Sequence, residues 1–262
     1  MNPKLFTQNN YFFMLALDHR GSFEKLANSK DENVLIKHKY DIINSLIYQF
    51  SGILIDDNYG FKAYSLFNQD IIKPFLLPIE KSGYLEHAGG RQNELYTSSF
   101  EIKEKGASGV KLLIYYNKKD QNAKKQIELA KVVQEECLSD SMPLFLEIVH
   151  YGDSKDVLDT INIFKQEGIH PTVYKLEYPG SPKNCRALTE MLEDIPWILL
   201  SQGVSFKDFY KQTFDAAQNG CSGFLAGRSL WQDIFTQTDL NKDRFFSEEL
   251  PSRFKKLKEL FN

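Results

Sequence analysis

Three charged residues interrupt apolar segments of the sequence, and their types could support covalent chemistry on a carbonyl group. Lys111, Glu147 and Lys175 lie in the segments GVKLLIYY, LFLEIV and VYKLEY, respectively. An isolated charge is costly to bury, so each group must be paired, neutral or used in a reaction. Because each has apolar neighbours in a strand-like segment, we expect all three side chains to point into the protein interior.

These residue types match the needs of imine formation. A lysine beside another cation in a poorly solvated pocket has its pKa lowered from about 10.4, and the neutral amine attacks carbonyl groups. Lys175 is therefore a candidate nucleophile, with Lys111 as the neighbouring cation. Imine formation also requires a proton donor that expels water, and Glu147 could supply it. A Lys175–Glu147 ion pair that only orders the core is the alternative interpretation.

The segments that carry these residues belong to a repeating pattern of strands and helices. Helical periodicity occupies Glu32–Tyr48, Lys118–Leu138, Ser154–Glu167, Cys185–Leu192 and Lys207–Asn219. Strands that alternate with helices over this length predict one (β/α)8 TIM barrel domain spanning residues 1–262. A doubly wound open sheet is the alternative, but no G-x-G-x-x-G motif follows the first strand. The apolar segments predicted as strands are 11–18, 52–57, 75–81, 109–116, 143–151, 173–178, 196–203 and 222–229.

Polar residues cluster where the predicted strands end, which is where such barrels place their active sites. Asp18, His19 and Arg20 follow the first strand, and Glu80 and Lys81 follow the third. We therefore expect these side chains to surround the same cavity as the buried lysines and to contact substrate there.

The loops after the seventh and eighth predicted strands suggest a phosphate site. They read LSQGVS and LAGRS, which contain Ser201, Gly203, Gly227 and Arg228. Barrels often bind phosphate with these two loops, and an arginine can clamp the dianion with two hydrogen bonds. Glycines that merely permit tight turns are the simpler interpretation of each loop alone.

Composition and cysteine usage limit the possible partners and compartment. The net charge of −3 does not indicate binding to nucleic acid or to an anionic membrane. The cysteines number three and form no C-x-x-C pair, which favours a reducing compartment. The apolar segment at 11–17 is too short to cross a bilayer and lacks signal-peptide features. We expect a cytoplasmic protein with a small-molecule substrate.

A metal centre is the competing type of site. His19, Glu147 and His150 could ligate a metal, as in metal-dependent aldolases, but their spacing is not that of a known helical ligand motif. The lysine chemistry described above needs no metal and no cofactor. We therefore predict neither.

Seven motifs resemble, in the same order, those of the class I aldolases of the tagatose-1,6-bisphosphate aldolase family, and the sulfofructose-phosphate aldolases are similar. They are LALDHRGS, IEKSGY, EKGASGVKLLIYYN, LFLEIV, VYKLEYPG, PWILLSQGVS and GCSGFLAGRSLW, between about Tyr11 and Trp231. The resemblance implies a barrel that cleaves a phosphorylated ketose through a lysine Schiff base. It also implies that dihydroxyacetone phosphate and an aldehyde are the products.

The resemblance assigns a role to each matching residue. It makes Lys175 the residue that forms the imine and Glu147 the general acid and base. It implies that Lys111 assists at the carbonyl end and that Asp18 contacts substrate hydroxyls. The residues that it assigns to phosphate binding are Ser201, Gly227 and Arg228.

One motif points to a second substrate class. The segment DHRGSF has His19 where the sugar-bisphosphate enzymes tend to have glutamine. It resembles the aldolase-like domain that acts on 2-deoxy-5-keto-gluconate 6-phosphate in inositol breakdown. A non-catalytic sugar-phosphate-binding protein on the same barrel is a further alternative. The sequence leaves open the sugar, its number of phosphates and the oligomeric state, for which a homo-oligomer is one option.

Overall fold

The computed structural model describes residues 3–152 and 156–261, and within them eight parallel strands form a closed barrel. Neighbouring strands follow one another in chain order, and the last pairs with the first, with Gly223 opposite Phe12. Each strand lies in a segment that the sequence predicted, so the TIM barrel is confirmed. The strands are β1 Tyr11–Leu17, β2 Gly52–Ile55, β3 Phe75–Pro78, β4 Gly109–Tyr116, β5 Leu144–His150, β6 Val173–Leu176, β7 Trp197–Leu200 and β8 Gly223–Ala226.

Helices connect the strands and cover the outside of the barrel. The predicted helix from Ser154 is observed from Val157, and residues 154 and 155 lie outside the described ranges. The helices are α1 Gly21–Ala27, α2 Glu32–Leu46, α3 Tyr59–Tyr64, α4 Ser99–Glu104, α5 Ala123–Ser139, α6 Val157–Gln166, α7 Pro182–Leu192, α8 Phe206–Ala217, α9 Arg228–Trp231, α10 Asp239–Arg244 and α11 Leu250–Lys258. None of the described helices is long and apolar enough to cross a lipid bilayer.

Shorter elements complete the chain. At the C-terminal end, α10 and α11 are joined by a π-helical turn at Phe245–Glu249. A short antiparallel pair at Thr7–Gln8 joins β1, and a small hairpin pairs Leu85–His87 with Gly90–Gln92. Turns of 3₁₀ helix lie at Pro3–Phe6, Gln69–Ile71, Gln232–Thr236 and Glu259–Phe261.

Local sequence signals explain where the helices begin. Asp31, Ser98, Ser181 and Ser205 each cap the following helix by accepting a hydrogen bond from a backbone N–H of its first turn. The cap of α4 is reciprocal, because the Glu101 side chain also accepts from the backbone of Ser98. These caps fix the points at which the chain leaves each strand-end loop.

Aromatic rings fill the barrel at the N-terminal ends of its strands. Phe6 enters from the turn before β1, and its ring lies 5.1 Å from that of Phe145. The ring of Phe12 packs against Phe145 from β1, at 6.0 Å. A Cβ at position 52 would lie 2.7 Å from the Phe6 ring, so Gly52 makes room for it. We call these three phenylalanines the aromatic floor; it leaves the opposite end of the barrel for a site.

Candidate active site

A cavity of about 560 Å³ opens at the C-terminal ends of the strands. It contains side chains from the loops after β1, β3, β7 and β8, and from β4, β5 and β6 themselves. The structure therefore brings together every residue that the sequence suggested for the site. These residues are Asp18, His19, Arg20, Glu80, Lys81, Lys111, Glu147, Lys175, Ser201, Gly203, Gly227 and Arg228.

Lys175 and Glu147 form a buried pair at the centre of this cavity. They occupy opposite positions on the neighbouring strands β6 and β5. The Lys175 side chain is 5% exposed, and its Nζ donates a hydrogen bond of 2.8 Å to Glu147 Oε2. The amine therefore faces the cavity and has a carboxylate within proton-transfer distance.

Lys111 is surrounded by three carboxylates. Its Nζ is 2.6 Å from Glu80 Oε1, 3.2 Å from Asp18 Oδ2 and 3.3 Å from Glu147 Oε2. Burial lowers the pKa of Lys111, but these carboxylates more than compensate and raise it well above its ordinary value. The sequence-based interpretation treated Lys111 as the cation that lowers the pKa of its neighbour Lys175, and it did not foresee these acidic partners. The structure instead places its Nζ within 3.3 Å of three carboxylates, and the raised pKa keeps the ammonium charged at neutral pH.

The three carboxylates differ in how readily they take up a proton. Burial raises the pKa of Asp18, but Lys111 and, to a smaller extent, His19 and Lys175 hold it well below its ordinary value. Burial also disfavours ionised Glu147, yet Lys175 and Lys111 lower its pKa. At Glu80 burial outweighs the attraction of Lys111, so its pKa is raised. Glu80 is therefore the first of the three to be protonated as the pH falls.

A buried lysine that the sequence analysis missed supports the strand ends beneath the cavity. Lys39 of α2 is fully buried, and its Nζ donates to the carbonyl oxygens of Leu17 at 2.8 Å and His19 at 2.9 Å. It also forms an ion pair with Asp56, which follows β2 and accepts a 3.0 Å hydrogen bond from the Gly60 N–H. Lys39 thus holds the backbone on both sides of Asp18.

The loops after β7 and β8 form one wall of the cavity. Arg228 Nη2 donates to the Gln202 carbonyl oxygen at 3.3 Å, and its guanidinium lies against Gly203. A Cβ at Gly203 would lie 3.0 Å from Arg228 Cζ, and the φ of +77° favours glycine as well. Ser229 Oγ donates to the Val204 carbonyl oxygen at 2.5 Å and joins the two loops. The arginine and the hydroxyl of Ser201 line this wall together.

The rim after β1 and β3 carries further polar groups. Burial lowers the pKa of His19 to about 4, with a smaller opposing effect of Asp18, so the imidazole is neutral at neutral pH. Arg20 lies 3.7 Å from an Asp57 oxygen and 5.2 Å from the centre of the Tyr96 ring. Lys81 is 56% exposed and pairs with Glu94 at 3.2 Å.

His150 points away from the cavity, so it lies apart from His19 and Glu147, the other two residues of the alternative metal site. Its Nδ1 lies 2.5 Å from Glu177 Oε2, and its Nε2 lies 2.8 Å from Thr160 Oγ1. His19 and Glu147 line the cavity without it. Within residues 3–152 and 156–261, no group of three histidine, cysteine or acidic residues could hold a metal ion.

Comparisons with known sequences match this arrangement to one protein family. The profile of the DeoC/LacD family aldolases matches residues 12–233. The tagatose 1,6-diphosphate aldolase of Staphylococcus epidermidis is 27% identical over 273 residues, covering 87% of this chain and 83% of that protein. The Lactococcus lactis enzyme of the same name is also 27% identical, covering 87% and 82% of the two chains.

Solved structures show the same fold at lower sequence identity. A Schiff-base-forming fructose-1,6-bisphosphate aldolase superposes with a TM-score of 0.67 and 18% identity, covering 99% of this chain and 97% of that chain. An archaeal fructose 1,6-bisphosphate aldolase gives a TM-score of 0.66 and 18% identity, with 96% of both chains covered. At this identity the superpositions establish the barrel fold.

Proposed function

The chain belongs to the DeoC/LacD family of aldolases, and we propose that it cleaves a phosphorylated ketose through a Schiff base on Lys175. As an aldolase it is a carbon–carbon lyase. The observation that carries the proposal is the buried Lys175 amine, hydrogen-bonded to Glu147 inside a cavity with an arginine-lined wall. This combination provides a nucleophile, a proton-transfer group and an anion-binding group in one site.

The first steps join the amine to the substrate. Glu147 takes a proton from the Lys175 ammonium, and the neutral amine then attacks the ketone carbon while Glu147 passes this proton to the carbonyl oxygen to give a carbinolamine. Glu147 is the group nearest to the amine, so it accepts the proton that the nitrogen loses and returns it to the leaving water. Lys111 stays charged and stabilises the developing negative charge on the oxygen.

Bond cleavage then uses the imine as an acceptor of electrons. The protonated imine withdraws the electron pair of the bond between the α and β carbons of the substrate, while Glu147, ionised again after water has left, removes the proton of the hydroxyl on the β carbon. An aldehyde leaves, and an enamine remains on Lys175. Protonation of the enamine carbon followed by hydrolysis releases dihydroxyacetone phosphate and restores the amine.

The wall formed by Ser201, Gly203 and Arg228 holds the phosphate of the ketone half in this proposal. An arginine can form two charge-assisted hydrogen bonds with the dianion. Anchoring the phosphate there places the ketone carbon in the central part of the cavity, over the amine. The same wall would hold dihydroxyacetone phosphate as a free product.

Chemical trapping tests the proposal directly. Borohydride added with dihydroxyacetone phosphate should reduce the imine and attach the ligand to Lys175, as intact mass and peptide mapping would show. The Lys175→Arg variant keeps the charge near Glu147 but should lose the adduct and the turnover, whereas it should still bind the phosphate ester. Failure to form an adduct at saturating ligand, or an adduct on another lysine, would refute the assignment. Binding without an adduct would favour a non-catalytic sugar-phosphate-binding protein.

A further inference from the structure

We propose that the substrate carries one phosphate, on its ketone half, and that its aldehyde half is uncharged and hydroxylated. This inference rests on the function proposed above and narrows its substrate to ketose 1-phosphates. It differs from the bisphosphates named for the similar proteins. Three features of the cavity support it: its charge balance, the chemistry of the end opposite Arg228, and the engagement of the remaining cations.

The charge balance of the cavity disfavours a second phosphate. Its lining includes five cationic and three acidic side chains, while His19 is neutral at neutral pH. Arg20 and Lys81 are paired with carboxylates outside this lining, so the three remaining cations equal the three acidic side chains in number. A phosphate ester adds nearly two negative charges at pH 7. A second phosphate would add about two further negative charges to a cavity that has no excess of positive charge, which is unfavourable. The cationic residues are Arg20, Lys81, Lys111, Lys175 and Arg228, and the acidic ones are Asp18, Glu80 and Glu147.

The end of the cavity opposite the phosphate wall offers groups that recognise hydroxyls. In an eight-stranded barrel β3 lies across from β7, so Glu80 faces the loop that contains Ser201. Asp18 and Glu80 both pair with Lys111, so their carboxylates lie close to each other. Ser22 and Ser82 line the same cavity. Carboxylate oxygens accept hydrogen bonds from sugar hydroxyls but repel a second phosphate.

The cations at this end are already engaged. Arg20 is paired with Asp57 and stacked on Tyr96, and Lys81 extends into solvent, where it pairs with Glu94. Lys111 is surrounded by carboxylates, as described above. By contrast, Arg228 donates a hydrogen bond to a neutral backbone carbonyl, so its charge is available to an anion. Within residues 3–152 and 156–261, the cations that line the cavity at the aldehyde end are therefore all paired with carboxylates, unlike Arg228.

The condensation direction gives a test that does not depend on the stereochemistry of the sugar. Dihydroxyacetone phosphate is incubated with the enzyme and either D-glyceraldehyde or D-glyceraldehyde 3-phosphate, and its consumption is followed. We expect kcat/KM to be at least about tenfold higher for glyceraldehyde, which corresponds to about 1.4 kcal/mol. A smaller preference, a preference for the phosphorylated aldehyde, or no consumption of either would overturn the inference.

Trapping in the same preparation separates this inference from the proposed function. Borohydride fixation of dihydroxyacetone phosphate on Lys175 requires no aldehyde half. An adduct without the expected aldehyde preference refutes the monophosphate inference alone. Loss of the adduct refutes the proposed function as well.

A substitution outside the cavity lining tests why phosphorylated aldehydes would be excluded. Asp57→Asn removes a negative charge and releases Arg20, so the relative kcat/KM for glyceraldehyde 3-phosphate should rise by about threefold or more. Asp57→Glu keeps the charge and serves as the matched control, with an expected change of less than about twofold. An unchanged ratio in Asp57→Asn, or an equal rise in both variants, would show that the Arg20–Asp57 pair does not set specificity.

Discussion

Replacing Lys111 with methionine should destabilise the protein strongly and in a pH-dependent manner. Methionine approximates the length of the lysine side chain, so the change removes the charge with little loss of volume. It would leave Asp18, Glu80 and Glu147 without the ammonium that lies within 3.3 Å of all three. The side chains of these carboxylates are only 5% to 15% exposed, so water replaces the lost partner poorly.

The structure sets the size of the expected effect at neutral pH. Removing one partner of a buried ion pair typically costs about 3–5 kcal/mol, because the remaining charge is uncompensated. Lys175 stays within 2.8 Å of Glu147 and limits the loss at that carboxylate. We therefore expect Lys111→Met to lower the free energy of unfolding by about 3–5 kcal/mol at pH 7.

The sign of the pH dependence follows from the pKa shifts. In the wild type the pKa values of Asp18 and Glu147 are lowered by folding, so their stabilising contribution is complete above their unfolded values of about 3.9 and 4.3. That contribution is lost as the pH falls through the folded values. Without Lys111 the dominant effect on Asp18 and Glu80 is burial, which raises their pKa values. Protonation then removes the uncompensated charge of these carboxylates in the variant. The difference in unfolding free energy between wild type and variant should therefore shrink by at least about 1 kcal/mol between pH 7 and pH 5.

Urea unfolding at the two pH values measures this difference. The fluorescence of buried Trp197 and Trp231 reports the transition, and an unchanged m-value would show that the unfolded reference is the same. Lys62→Met is the control, since Lys62 forms an exposed pair with Glu32 and should contribute less than about 1 kcal/mol. A loss in Lys111→Met no larger than in the control, or one that does not shrink at pH 5, would refute the reasoning.

Three further predictions concern other parts of the site. Lys39→Met should lower the free energy of unfolding in urea by about 3–5 kcal/mol, because it leaves the buried Asp56 carboxylate without its ion-pair partner. Lys37→Met, on the exposed side of α2, should lower it by less than about 0.5 kcal/mol. Equal losses would contradict this. Arg228→Gln should raise the Kd for dihydroxyacetone phosphate at least about tenfold in calorimetry with little change in Tm, and unaltered affinity would remove Arg228 from the phosphate site. The His19 ring, with a pKa of about 4, should show no titration in NMR spectra between about pH 6 and 8; a midpoint near 6.5 would contradict its burial.

The residues that face the cavity from the strands could be found from the sequence because each interrupts an apolar segment. Lys111, Glu147 and Lys175 stand out for this reason, and side-chain alternation then places them inside the barrel. The strand-end residues followed from the expected fold, since a TIM barrel collects them at one end. These inferences required only local pattern and topology.

The support beneath the site could not be found in the same way. Lys39 lies between His38 and Tyr40, close to Lys37 and Asp41, and so resembles part of a solvated helix face. Its spacing from Leu35 and Ile42 matches the buried stripe of α2 and is a signal that could have identified it. Two of the groups that Lys39 binds are backbone carbonyls, which every residue type has, so the sequence does not reveal them.

Charge compensation at Lys111 was also inaccessible from sequence. Its carboxylate partners Asp18, Glu80 and Glu147 come from β1, β3 and β5 or the loops that follow them, and only the closed barrel brings them to one ammonium. Residue types alone suggested a cationic environment for Lys175. The distances show instead that a carboxylate, Glu147, lies between the two ammonium groups of Lys175 and Lys111.

The aromatic floor determines how protons can be exchanged during turnover. With Phe6, Phe12 and Phe145 packed beneath the site, the described part of the barrel offers water a route to Lys175 from the mouth. A ligand that fills the mouth closes that route and isolates the amine and its carboxylates from bulk solvent. Protons released while the ligand is bound would then be passed among these groups and returned to the same molecule, so the chemistry would run as an internal relay until the product leaves.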